Sequence, residues 1–191
     1  MTGIEEVIRG RRSIGKVKDD PVPKELVEKL LDAAIWAPNH HHTEPWKFIV
    51  MTGEGRRTLG QVYVECAADA IAALPESEQE ERRRKEMAKA FRSPVVIAAA
   101  CVPSDSPKAV LAEELAAVHA AVQNLLLTAH AEGLGGVWRT GVPAYDPAMK
   151  KALQLEDHAQ VVGLIFIGYP DMQAPTAKRT PASAKTVWIE Q

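Results

Sequence analysis

Arg11-Arg12-Ser13 is the first segment whose residue types could do chemistry. Two guanidinium groups offer forked donors to paired oxygens, and a serine hydroxyl adds a short hydrogen bond, so the tripeptide suits a phosphate. Taken alone it is a weak signal, and a solvated charge cluster is the favoured reading. The most unusual stretch runs from Ala37 to Trp46, A-P-N-H-H-H-T-E-P-W. Its three consecutive histidines, His40, His41 and His42, suggest metal at first glance. Sequence neighbours do not converge on one ion as i, i+4 histidines of a helix do, so no metal site is expected. A polar loop between a buried helix and a strand is instead a place for a ligand pocket. Gly133 to Gly141, G-L-G-G-V-W-R-T-G, invites a dinucleotide reading. That reading fails twice: the third glycine would fall at Trp138, and the order is helix, glycines, strand rather than strand, glycines, helix. The segment then reads either as a helix stop with a tight entry into a strand, or as a place where Trp138, Arg139 and Thr140 flank a ligand, with Arg139 as a second phosphate donor.

Composition narrows the partners. The chain has 191 residues, 46% hydrophobic and 25% charged, which suits one globular domain with a real core. Its 23 basic and 25 acidic residues leave a formal charge of -2, with no basic excess to hold nucleic acid. Cys66 and Cys101 lie far apart in apolar stretches and suggest neither a disulfide framework nor a metal site. The longest apolar run, Val95 to Val102, is too short to span a bilayer, and no signal segment opens the chain. A soluble, cytoplasmic protein is expected.

These segments must be held by mixed helices and strands. Ile4, Val7 and Ile8 predict a short helix ending at Gly10. Leu26, Leu30, Leu31, Ala34 and Ile35 line a second helix, after Pro21 and Pro23 and closed by Ala37-Pro38. Lys47 to Met51 reads as a strand, stopped at Gly53-Glu54-Gly55. One helix is predicted from Arg57 to Ala73, and Glu76 to Lys89 reads as a solvated helix dense in both charges. Pro94 to Val102 and Val161 to Ile167 suit buried strands, and Gly136 to Thr140 a shorter one. Between them Leu111, Leu115, Val118, Val122, Leu125, Leu126 and Ala129 stripe the longest helix, about Lys108 to Glu132, with Gly133 as its stop. Asp146-Pro147 predicts an N-cap and a short helix to Leu153. The tail from Asp171 is rich in Pro, Ala, Ser and Thr and ends in Val187-Trp188-Ile189. That triplet packs either on its own domain or on a partner chain.

Four segments in this order resemble the FMN-dependent nitroreductase family, closest to its short-chain branch. They are Arg11-Arg12-Ser13; Ala37-Pro38-Asn39-His40 with Pro45-Trp46; Gly135 to Gly141; and Gly168-Tyr169-Pro170. Each is modest alone, and the match spans nearly the whole chain. The resemblance implies a single FMN-binding domain over residues 1–191. It implies an α+β, three-layer fold with a mostly antiparallel central sheet flanked by helices. It implies a homodimer with two FMN sites at the interface and a terminal arm that reaches the partner subunit.

By the same resemblance, Arg11, Arg12 and Ser13 look like the segment binding the FMN phosphate and ribityl chain. Trp36 and His40 look like flavin neighbours, and Trp138, Arg139 and Thr140 like the second contact segment. NADH or NADPH would reduce the flavin, and a small organic acceptor such as a nitroaromatic or quinone would reoxidise it. The flavin carries the redox step, so no catalytic side chain is named. A flavin enzyme with another reaction, such as enone reduction or dehydrogenation, would share every motif, and so would a non-catalytic flavin-binding protein. Arg11, Ser13 and Arg139 are expected to converge on the phosphate, because each follows a structural stop.

Overall fold

The computed structural model describes residues 3–190. Met1, Thr2 and Gln191, which the single-domain reading includes, lie outside the described residues. Helix α1 (Ile4–Gly10) is followed by α2 (Lys24–Ala34), which starts directly after Pro23. Strand β1 (Trp46–Thr52) leads into α3 (Arg57–Cys66), α4 (Ala68–Ala72) and α5 (Glu76–Ala88). Strand β2 (Val95–Cys101) precedes the 21-residue α6 (Leu111–Ala131). Then come β3 (Gly135–Arg139), α7 (Val142–Tyr145), α8 (Pro147–Ala152) and β4 (Gln160–Gly168). The predicted cap at Asp146 is present: its Oδ1 accepts from the Ala148 N–H at 2.8 Å.

The strands form one sheet in the order β1-β2-β4-β3, with every neighbouring pair antiparallel. Alternation of side chains splits its two faces between two cores. On one face Ile97, Ala99, Ile165 and Ile167 pack under α2 and α6, against Leu30, Val118, Val122 and Leu125. On the other, Val96, Ala98, Leu164 and Phe166 pack on Leu59, Val62 and Met149. The expected three-layer α+β architecture follows. A bulge between Ala99 and Ala100 leaves Val162 out of register, so the strand's alternation resets there.

The predicted helix from Arg57 to Ala73 is two helices. Residues 59, 62 and 63 share a stripe, but Ile71 lies roughly a quarter to a third of a turn off it at 3.6 residues per turn. The chain breaks at Ala67 (φ -99°, ψ 5°), and Ile71 is buried all the same. The long helix begins at Leu111 rather than Lys108. Buried Glu114 holds the preceding loop apart by accepting the Ser104 N–H at 2.8 Å and the Thr43 hydroxyl.

Gly163 sets the end of β3. A methyl group there would lie 2.1 Å from Trp138 Nε1 and 3.0 Å from the Arg139 carbonyl. The bare backbone lets the indole cross β4 and donate to the Val162 carbonyl at 3.3 Å. Gly163→Ala is therefore expected to cost about 1–3 kcal/mol by overpacking, read as a lower denaturant midpoint at unchanged m-value.

The tail from Asp171 to Glu190 is exposed throughout. Val187, Trp188 and Ile189 remain 87%, 80% and 88% accessible, so the triplet does not pack on its own chain.

Candidate functional site

The phosphate-like tripeptide emerges where α1 ends at Gly10. From there the chain runs beside β3: Ser13 bridges Gly136 in parallel, and the Ile14 N–H donates to the Gly136 carbonyl at 3.0 Å. Further on, the Lys18 N–H donates to the Tyr169 carbonyl at 2.8 Å. The tail begins by doubling back on this segment. The Asp171 N–H donates to the Lys16 carbonyl at 3.1 Å, and the Asp171 carboxylate meets Lys16 Nζ at 2.6 Å.

A cleft of about 420 Å³ opens here, lined by Ile8, Arg9, Arg11, Arg12, Ala177 and Arg179. Arg9 is paired with Glu5 at 2.8 Å. Among the described residues no carboxylate lies within salt-bridge reach of Arg11, Arg12 or Arg179. Burial lowers the Arg11 pKa, and the neighbouring Arg12 and Arg179 charges lower it further. Three guanidinium groups without an anion repel one another, and a bound dianion would reverse the sign of that interaction.

A second cleft, about 330 Å³, lies at the far end of β3. Tyr63, Lys89, Arg92, Arg139, Thr140 and Phe166 are among its walls. Residues 137 and 139 share a strand face, so Arg139 points into the α3 layer with Val137. Its Cζ stands 5.5 Å from the Phe166 ring centroid. Arg139 Nε is buried and, among the described residues, has no hydrogen-bond partner. An orphaned buried donor is costly unless a ligand satisfies it. Glu86, which also lines this cleft, is already engaged by Arg82 Nε at 3.0 Å and by Lys89. Arg92 and Arg139 therefore leave the cleft electropositive. Burial pushes the Tyr63 phenol up to about 12 against the pull of the Arg139 and Arg92 charges, so it stays a neutral donor.

Arg11 and Arg139 thus line different clefts, on either side of the segment Ser13–Gly15, rather than one. Strand alternation is the reason. A crevice too tight to admit water, lined by Ile14, Gly15, Val17, Val137 and Arg139, adjoins the second cleft and shares no lining residue with the first, and the Gly15 backbone lies beside the Arg139 guanidinium. Ser13 is exposed and is held beside β3 by its bridge to Gly136. Trp138 faces the opposite core, where its ring lies 5.6 Å from that of His119.

Trp36 and His40 stand apart from both clefts. Trp36 follows the end of α2 and is 85% accessible. His40 Nδ1 meets Glu113 Oε2 at 2.7 Å and the ring stacks on His41 at 3.8 Å. Their loop holds three non-glycine residues at positive φ, His41 (58°), His42 (53°) and Glu44 (48°). Each such conformation costs on the order of 1–3 kcal/mol and persists only where contacts over-determine it. Here the Glu44 N–H donates to Asn39 Oδ1 at 3.0 Å and Thr43 is bound by Glu114.

The motif reading missed Arg179, Tyr63, Lys89 and Arg92. A signal for Arg179 existed: Lys178-Arg179 is a basic pair in a tail otherwise built of small and polar residues. Lys89 closes a charged stretch that is mostly solvated, and Arg92 follows just beyond it after a short helical turn, where no motif marks it.

Comparison with known proteins shows the family to which the chain belongs. Residues 8–169 match the model of the nitroreductase family. The chain belongs to the nitroreductase family. The family is one of oxidoreductases, and this chain is similar to several of its members over nearly its full length. It is 34% identical to the provisionally named NAD(P)H nitroreductase YfhC of Bacillus subtilis, over 93% of this chain and 90% of that one. The crystal structure of a nitroreductase-like protein from Bacillus cereus superposes with a TM-score of 0.84 at 34% identity, covering 100% of this chain and 98% of the other. A nitroreductase homologue from Desulfovibrio desulfuricans, solved in complex with FMN, has a TM-score of 0.72 at 27% identity, covering 96% and 95%. Among the described residues no helix is long and apolar enough to cross a membrane.

Proposed function

We propose that this protein is an FMN-dependent oxidoreductase that passes electrons from NAD(P)H to a small organic acceptor such as a nitroaromatic or a quinone. The observation that carries the reading is the pair of electropositive clefts, one lined by Arg11 and Arg179 with no carboxylate in reach among the described residues, the other holding the orphaned Arg139 Nε. A phosphate at one end and a polar ring at the other is the shape of FMN. The name of the Bacillus subtilis relative and the FMN complex of the Desulfovibrio desulfuricans protein support the same cofactor and donor.

In this reading Arg11 and Arg179 hold the phosphate, with Ser13 toward the ribityl chain. Arg139, assisted by Thr140, Arg92 and Lys89, faces the ring. The chemistry FMN supplies when bound is two-electron transfer between NAD(P)H and an acceptor. The chain's part is to orient the ring and to place cations where its reduced form gathers negative charge. Arg139 Nε is the donor with an open place for a ring oxygen or nitrogen.

The functional unit is a cytoplasmic homodimer of one domain per chain. Trp36 and His40, remote from their own chain's clefts, meet the flavin of a second copy, and the tail triplet packs on that copy. The test is direct: the purified protein is expected to release FMN, identified by chromatography, at one per chain. Release of FAD, or no flavin uptake on titration, counts against the reading.

One open ring face without a dinucleotide fingerprint must serve donor and acceptor in turn. Double-reciprocal plots at several acceptor concentrations are therefore expected to be parallel. Intersecting lines would show both substrates bound together and remove the single-pocket account.

A further inference from the structure

Among the arginines lining the first cleft, Arg12 is the one with both forks already engaged, whereas Arg9 and Arg179 each use a single nitrogen. Its Nη1 donates to the carbonyls of Arg9 at 2.6 Å and Arg11 at 2.8 Å, and its Nε to the carbonyl of Pro175 at 3.1 Å. A guanidinium binds an oxyanion through a fork, either Nε with Nη2 or Nη1 with Nη2. Both forks of Arg12 have one prong engaged by backbone. Arg11 next to it has no acceptor of its own and is desolvated. Two adjacent arginines of the same type therefore sit in different states.

The Pro175 carbonyl is the far end of the Arg12 contact, four residues before Arg179. From Pro175 the tail reaches the cleft that Ala177 and Arg179 line together with Arg11. Its root is fixed by the Asp171 contacts to Lys16. Beyond Pro175 a hydrogen bond within the tail joins Thr186 to Ala182, with no bond from it to the body of the chain among those of the described residues. Arg12 is thus the last hydrogen-bonded hold on the tail before Arg179.

We propose that Arg12 is a positioning residue: it clamps the tail at Pro175 and so delivers Arg179 to the anion cleft, without itself holding the anion. The clamp couples two events. Seating Arg179 in the cleft fixes where the tail leaves the body, and so aims the Val187-Trp188-Ile189 arm. For the identity of the anion the inference rests on the FMN reading above; for the clamp it rests only on the Arg12 contacts.

The test uses the full-length chain and the variants Arg12→Ala, Arg12→Lys, Arg179→Ala and the Arg12→Ala/Arg179→Ala pair, with two readouts. In limited trypsin digestion without flavin, mass spectrometry follows the cut after Lys178 that releases residues 179–191. Loosening the clamp raises the open population, so Arg12→Ala is expected to speed this cut about 5-fold or more, with Arg12→Lys between it and wild type. In FMN titration, Arg12→Ala and Arg179→Ala are each expected to weaken binding about 10-fold, and the pair still about 10-fold, because both remove one and the same contact. Losses that multiply to about 100-fold in the pair overturn the proposal and make Arg12 a direct ligand. An unchanged cut after Lys178 overturns it as well. Arg12→Lys carries the comparison should Arg12→Ala not fold. If wild type takes up no FMN, the functional reading fails, while the trypsin readout still decides the clamp.

Discussion

A chain ending at Ala174 is expected to be monomeric and colourless. The tail triplet is the largest exposed apolar group in the molecule's terminal segment, with Trp188 80% accessible and Val187 and Ile189 more so. Burying such side chains contributes about 1.5–3 kcal/mol each, which is the scale of a subunit interface's central contacts. The deletion also removes Arg179 and the Pro175 carbonyl that Arg12 grips. Dimer and cofactor are thus lost together: the one charged contact removed, Arg179, accounts for about 10- to 100-fold in FMN affinity, and the partner's side of the site goes with the dimer. Gel filtration with absorbance at the flavin band reads both. A truncated chain that stays dimeric and yellow would show that the arm is an appendage.

Arg11→Ala and Arg179→Ala are expected to weaken FMN binding by about 10- to 100-fold each, since a hydrogen bond to a charged group contributes about 1.5–3 kcal/mol. Arg→Lys recovers only part, because Lys keeps the charge and loses the fork. Riboflavin, which has no phosphate, binds weakly to wild type and is nearly indifferent to both substitutions. Arg139→Ala behaves differently. Arg139 lies in the other cleft, beside Tyr63 and Phe166, so its loss weakens FMN and riboflavin by a similar factor. Titration of the flavin-free variants with both flavins separates the cases. If Arg139→Ala spared riboflavin and Arg11→Ala did not, the two clefts would be assigned backwards. If neither substitution moved FMN affinity, the arginines would be surface charges.

The sheet and its long helices were legible because their apolar residues repeat cleanly. Val95–Cys101 is buried at every position, as a continuous apolar run implies, and Asp146-Pro147 starts a helix as its chemistry requires. The α3–α4 break was not legible, since one misplaced Ile71 decides it and helix propensity on both sides is unbroken. Arg11 and Arg139 were singled out by motif, but their division between two clefts was not legible. That division depends on strand alternation at Val137 and Arg139 and on how Ser13 docks against Gly136, which is long-range pairing that no local pattern records. Arg179 was missed because its role comes from the tail folding back by way of Arg12.

The central claim is that the two clefts hold a flavin that NAD(P)H reduces. Anaerobic addition of NADH, and separately NADPH, to the purified protein measures it through the visible spectrum. The account predicts an oxidised FMN spectrum that bleaches with at least one of the two donors and returns when a nitroaromatic or quinone is admitted. Bound flavin that neither donor bleaches would contradict it, and would leave a protein that binds the cofactor without using it.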